Sequence, residues 1–158
     1  MNLKDLEQYL DEIARDVDHA VSNEIPQIIG REAVNHFQEG FQNEGFTDRG
    51  LSPWKEVKRR QGKGKGADSI RKILSGRTGA LHDSITFDIE PGKVIIYANP
   101  QNMGAESNYA AVHNFGANDA GRSRNVVIPA RPFLMHSEKL NDRIVEKIES
   151  LLNQKLNH

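Results

Sequence analysis

Leu3, Leu6, Leu10, Ile13, Val17 and Val21 recur at spacings of three and four residues. That period puts them along one face of a helix, with Asp11, Glu12, Asp16 and Asp18 mostly on the other. Pro26 disfavours a helix interior but suits a first turn, and Ser22 or Asn23 stands where a cap belongs. A second helix is therefore predicted from about Pro26 to Phe41, where Ile29, Ala33, Phe37 and Phe41 lie four apart. The alternative is one long helix kinked at Pro26. From Ser84 to Glu90 the period changes to two, with Ile85, Phe87 and Ile89 on one side of a strand. Pro91-Gly92 supplies a turn, and Lys93 to Ala98 a return strand whose Val94-Ile95-Ile96 run suggests burial on both faces. Val126 to Ile128 reads as a third strand, at an edge or ending at Pro129. Leu140, Ile144, Ile148, Leu151 and Leu152 predict a closing amphipathic helix from about Ser137 to Leu156.

The stretch between these blocks has no period. Eight of the 13 glycines lie between Gly40 and Gly79. Gly50-Leu51-Ser52-Pro53 is a turn signal before Trp54. Lys58-Arg59-Arg60-Gln61-Gly62-Lys63-Gly64-Lys65-Gly66 combines self-repelling charge with glycine entropy, which predicts a mobile loop. The expected fold is α+β: N-terminal helices and a C-terminal helix packed on a small, mainly antiparallel sheet, with a long flexible basic loop. The length of 158 residues predicts a single domain over 1–158. It divides into a helical arm (1–44), a glycine-rich basic loop (45–79) and a sheet with its closing helix (80–158).

Charge sharpens that division. The net charge is −1, which excludes a uniformly basic nucleic-acid coat and a strongly acidic disordered chain. The small total hides opposing blocks: residues 1–44 hold three basic and ten acidic groups, and residues 45–79 hold ten and three. The −7 and +7 blocks are expected either to neutralise each other within one chain or to help one subunit meet the next. The chain has no cysteine, so disulfides, cysteine-ligated metals and a thiol nucleophile are excluded. No apolar run reaches the roughly 18 residues of a membrane span, and the acidic start does not resemble a secretory leader.

Candidate chemistry is sparse. The six histidines are widely spaced and form no His-x-x-x-His pair, so no metal or cofactor is expected. His82-Asp83-Ser84 holds the residue types of a catalytic triad, but neighbours on an extended chain face opposite ways. Gly62–Gly66 and Ser75-Gly76-Arg77-Thr78-Gly79 imitate phosphate loops without the required Lys-Ser/Thr ending. Lys58, Arg59, Arg60 and their neighbours are candidates for phosphate contact, with only Trp54 nearby for stacking. A nucleic-acid-binding accessory protein acting through this loop is thus the alternative reading. A solvated loop, or one docking on an acidic protein, is the plainer one.

Three clusters follow in order: Ile73-Leu74-Ser75-Gly76-Arg77-Thr78-Gly79-Ala80-Leu81-His82-Asp83-Ser84-Ile85, then Tyr109-Ala110-Ala111-Val112-His113-Asn114-Phe115-Gly116, then Ile128-Pro129-Ala130-Arg131-Pro132-Phe133-Leu134. With Trp54 upstream and a helix downstream, they resemble the phage virion morphogenesis family of Mu-like tailed phages, over about residues 26–152. The glycine-lysine loop and residues 99–108 read as variable insertions. The resemblance implies a non-enzymatic structural subunit of the virion. It would act in tail completion at the neck, where head and tail join, after assembly in the host cytoplasm. Its implied partners are copies of itself in a ring, with sixfold symmetry, and other tail and neck proteins.

Each motif also has a local reading. Gly76 and Gly79 permit a turn that sets the strand register, with Leu81 following. Tyr109, Val112 and Phe115 are expected to pack a short helix on the sheet, with Gly116 as its C-cap and His113 partly exposed. Pro129 and Pro132 stiffen the segment that presents Phe133, either to the chain's own core or to a neighbour's pocket. Arg131 is the candidate ion-pair partner, within the chain or across a ring contact.

Overall fold

The computed structural model describes residues 2–62, 64, 66–100 and 109–157. Its first quarter is one continuous helical rod. Helix α1 (Leu3–His19) passes through a π-helical turn (Ala20–Glu24) into α2 (Ile25–Asn43). At about 1.5 Å per residue the rod is about 60 Å long. The rod starts with a capping box, in which Asn2 and Asp5 each accept the other's backbone N–H. No cap forms at Ser22 or Asn23, because the chain does not leave the helix there. Pro26 has no N–H to give, and the register shifts just before it: the Ile25 N–H reaches back five residues to the Ala20 carbonyl. Asn23 instead donates its side-chain amide to the His19 carbonyl. Of the two arrangements left open by the sequence, the single helix is the one formed.

The α+β class holds, with three separate two-stranded antiparallel sheets in place of one. Strands β1 (Gly45–Thr47) and β2 (Leu51–Pro53) form a short hairpin the sequence period does not reveal. Strands β3 (Ile85–Glu90) and β4 (Lys93–Ala98) pair in the expected register, Ile85 opposite Ala98 and Glu90 opposite Lys93, around Gly92 at φ +74°. The face holding Ile85, Phe87 and Ile96 turns toward α2. There Gly30 makes room: a Cβ at this position would run into the Phe87 ring. Strands β5 (Ala117–Ala120) and β6 (Val126–Ile128) pair through a bulged register, so the third expected strand stands apart from the main hairpin.

Helix α7 (Glu138–Leu156) starts where expected, with the Ser137 hydroxyl accepting the Leu140 N–H at 3.2 Å. It runs antiparallel to α2, since Arg143 reaches Glu32 and Glu39 while Lys155 reaches Glu24. The core lies between these helices and the hairpins: Ala33, Phe37, Phe41, Trp54, Ile73, Leu74, Leu81, Ile85, Phe133 and Leu140.

The basic segment departs from a plain loop. It contains two single-turn helices, α3 (Lys58–Gln61) and α4 (Ala67–Ile70). Arg59 donates to the carbonyls of Asp68, Arg71 and Lys72. Arg60 makes a two-pronged pair with Glu44, which also accepts the Ile73 N–H at 2.7 Å. The Glu44–Arg60 pair joins the acidic block to the basic one within a single chain. Lys63 and Lys65 of the glycine-lysine run, and residues 101–108 of the second insertion, lie outside the described residues.

Candidate functional site

The sequence motifs converge on the core and fasten it. Trp54 follows β2, buried, with its ring edge-on to Phe41 at 5.3 Å. Its Nε1–H donates to the Pro132 carbonyl at 2.6 Å. Phe133, 1% exposed, sits 5.5 Å from Phe41. Of its two expected destinations, the chain's own core is the one occupied. Leu81 joins the same core from α5 (Ala80–Asp83), behind a turn in which Gly76 and Gly79 adopt φ +57° and +70°. Pro129 and Pro132 are half-buried beside it.

Helix α6 (Tyr109–Phe115) supplies a residue that sequence reasoning passed over. Asn114 is buried, and its Oδ1 accepts the backbone N–H groups of Phe133 at 2.8 Å and Leu134 at 3.0 Å. Its Nδ2 donates to the Leu134 carbonyl, and the His113 carbonyl accepts the Arg131 N–H at 2.8 Å. This clamp satisfies an irregular buried strand that no sheet partners. The signal was the four-residue step from Ala110 to Asn114, which puts both on the inner face. One residue on, Phe115 points away and is 74% exposed, so the expectation that it packs on the sheet is corrected by helix geometry. Gly116 ends the helix at φ +80° as expected, its N–H donating to the Val112 carbonyl. A side chain here would meet the Ala130 nitrogen at 2.8 Å.

Arg131 makes no ion pair within the chain among the described residues. It is 6% exposed. Its Nε–H donates to the Lys55 carbonyl at 2.9 Å, tying α6 and the Phe133 segment to the chain after Trp54. Burial pulls its pKa below the ordinary value, and the nearby Arg59 adds to this. His113 is half-buried, edge-on to Tyr109 at 4.4 Å, with Nδ1 unpartnered. Burial, then Arg131, lowers its pKa, while burial raises that of Tyr109.

His82 and Asp83 correct the reading of an extended chain. They lie on α5, and His82 Nδ1 is 2.6 Å from Asp83 Oδ1. Ser84 does not complete a relay; its hydroxyl donates to the Leu81 carbonyl. Among the described residues no group of three or more histidines and carboxylates is placed to hold a metal ion, and no helix is long and apolar enough to cross a membrane. Lys58 and Arg59 are both exposed on α3, Arg59 bonded to backbone carbonyls of the same segment, and Arg60 is half-buried against Glu44.

The rod's first helix is the opposite of this clamp. None of α1 is buried, and Leu3 is 79% exposed, with Leu6, Tyr9 and Leu10 also open. The apolar stripe read from the sequence is present and largely uncovered.

Comparison with known proteins agrees with the motifs. A protein of Haemophilus influenzae, Mu-like prophage FluMu G protein 2, is 34% identical over 106 residues, 67% of this chain. The match spans 64% of that relative's length. No solved structure matches the chain. The model of the phage virion morphogenesis family matches residues 1–156. Its three motifs, their closure around Phe133 and this nearly complete match make the chain a member of the phage virion morphogenesis family.

Proposed function

We propose that the chain is a non-catalytic structural subunit of a tailed phage, acting in tail completion at the junction of head and tail. In this reading it works as a ring of its own copies, in contact with other tail and neck proteins. The observation that carries this is the contrast between the motifs and the arm. The motif residues are consumed in fastening a core, while a long helix is left with its apolar stripe open. A chain whose polar side chains serve caps, clamps and turns, and whose apolar surplus faces outward, suits assembly. Arg59 is engaged by backbone carbonyls and Arg60 by Glu44, which leaves both less free for phosphate. The relative's name places it in a Mu-like prophage, and the same setting is proposed here.

The test is a phage in which this chain's gene is inactivated. Filled heads and unjoined tails should accumulate, and supplying the chain should restore joined particles under the electron microscope. Normal joined virions without the chain would refute the reading.

A further inference from the structure

The open stripe has a matching surface elsewhere in the chain. Leu3, Leu6, Leu10, Ile13, Val17 and Ala20 alternate steps of three and four, the spacing of a helix-packing seam. Its second half is covered: Ile13 and Val17 are half-buried and Ala20 is fully buried. Lys155, near the end of α7, pairs with Glu24 and feels Asp16, so α7 ends beside this half. The first half extends past that end with nothing among the described residues against it. The arm is acidic, with two basic and six acidic side chains in Leu3–His19.

The β5–β6 hairpin is its complement. At the end of α6 and along the hairpin, Phe115 is 74% and Val127 66% exposed. The turn between the strands carries Arg122 and Arg124. Among the described residues, no carboxylate lies within ion-pair distance of either.

We propose that the α1 arm of one copy docks on the β5–β6 hairpin of a second copy of this chain. Leu3, Leu6 and Leu10 cover Phe115 and Val127, and Arg122 and Arg124 face the arm's acidic flank. This rests on the reading of the chain as a self-assembling subunit and names the surfaces. Two different patches make the contact head-to-tail, so every added copy offers a new free arm or hairpin until a ring closes. Pairing arm with arm would set a net −4 against −4 and stop at a dimer. The opposing charges that matter between copies are then those of the arm and the hairpin. Part of the 1–44 and 45–79 charge is already joined inside one chain through Glu44 and Arg60.

The experiment is sedimentation velocity on the purified full chain and two variants. Leu6→Asp/Leu10→Asp breaks the arm, and Val127→Asp breaks the hairpin. The natural chain should assemble beyond a dimer, and each variant alone should be monomeric. An equal mixture should give a one-to-one dimer and nothing larger, because one intact arm meets one intact hairpin. Arg122→Glu/Arg124→Glu, at exposed turn positions, should weaken assembly roughly tenfold, and Glu7→Lys should recover part of it. Circular dichroism confirms that each variant is folded. A natural chain that stays monomeric would overturn the proposal. So would a hairpin variant that assembles normally, which points to arm–arm pairing, or a silent mixture of folded variants. The virion test above reads head–tail joining, so the neck assignment and this interface can fail separately.

Discussion

Two parts of the molecule use the same kinds of apolar residue in opposite ways. Around Phe133, Trp54 packs edge-on to Phe41 and Phe133 tilts against the same ring, while the Pro132 carbonyl and the Phe133 and Leu134 N–H groups find partners in Trp54 and Asn114. Along the first half of α1, leucines at equally regular spacing face outward. The clamp is where the chain encloses its apolar side chains, and the first half of α1 is where it leaves them open. Amphipathic period alone does not distinguish these, because it reports a face and not what covers it.

The largest expected break is at the clamp's centre. Phe133→Ala removes a fully buried ring and should destabilise the chain by about 3–5 kcal/mol, read from denaturant midpoints. An effect under about 1 kcal/mol would show that the ring is not central. Next comes Asn114→Ala, which strands two buried N–H donors. A loss of roughly 2–3 kcal/mol is expected, and a neutral result would contradict the clamp.

A smaller effect is expected from pH. Burial holds His36 below its ordinary 6.5, although its Nε2 bonds to the Thr47 carbonyl at 3.0 Å, and His113 is lowered as well. The folded chain therefore keeps both neutral where the unfolded chain already takes up protons. Their contribution is complete above about pH 6.5 and is lost as pH falls through the lowered values. At lower pH the Glu44 carboxylate adds a further loss, since the Arg60 bond holds it below its ordinary 4.5. Stability should be lower at about pH 5.5 than at pH 7.5, and His36→Gln should shrink the difference. Equal stabilities at the two values would exclude the histidine contribution.

The smallest effect sharpens the contrast most. Leu6→Asp/Leu10→Asp should change the stability of the dilute monomer by no more than about 0.5 kcal/mol. A loss like that of Phe133→Ala would mean that the arm belongs to the core.

What the sequence made legible follows the same division. Helix α7 and the β3–β4 hairpin were readable because each repeats a period over several residues. The β1–β2 hairpin was not, since two three-residue strands are too short to show alternation. The π-helical turn hid behind Pro26, where the proline signal for a helix start and for a register shift is the same. At the site, Trp54 and Phe133 were visible as large apolar residues among turn formers. Asn114 was not, because a polar residue declares itself buried only once its backbone partners, nineteen and twenty residues on, are known. The Lys55 carbonyl that Arg131 reaches was hidden for the same reason: carbonyl acceptors carry no mark in the sequence.

The most direct test of the account is a high-resolution electron-microscopy map of the assembled head–tail junction. Density for a ring of this chain is expected, with Leu3, Leu6 and Leu10 of each copy covered by the adjoining one and Phe133 enclosed within its own chain. A junction without this chain, or copies whose arms stand free in solvent, would contradict it.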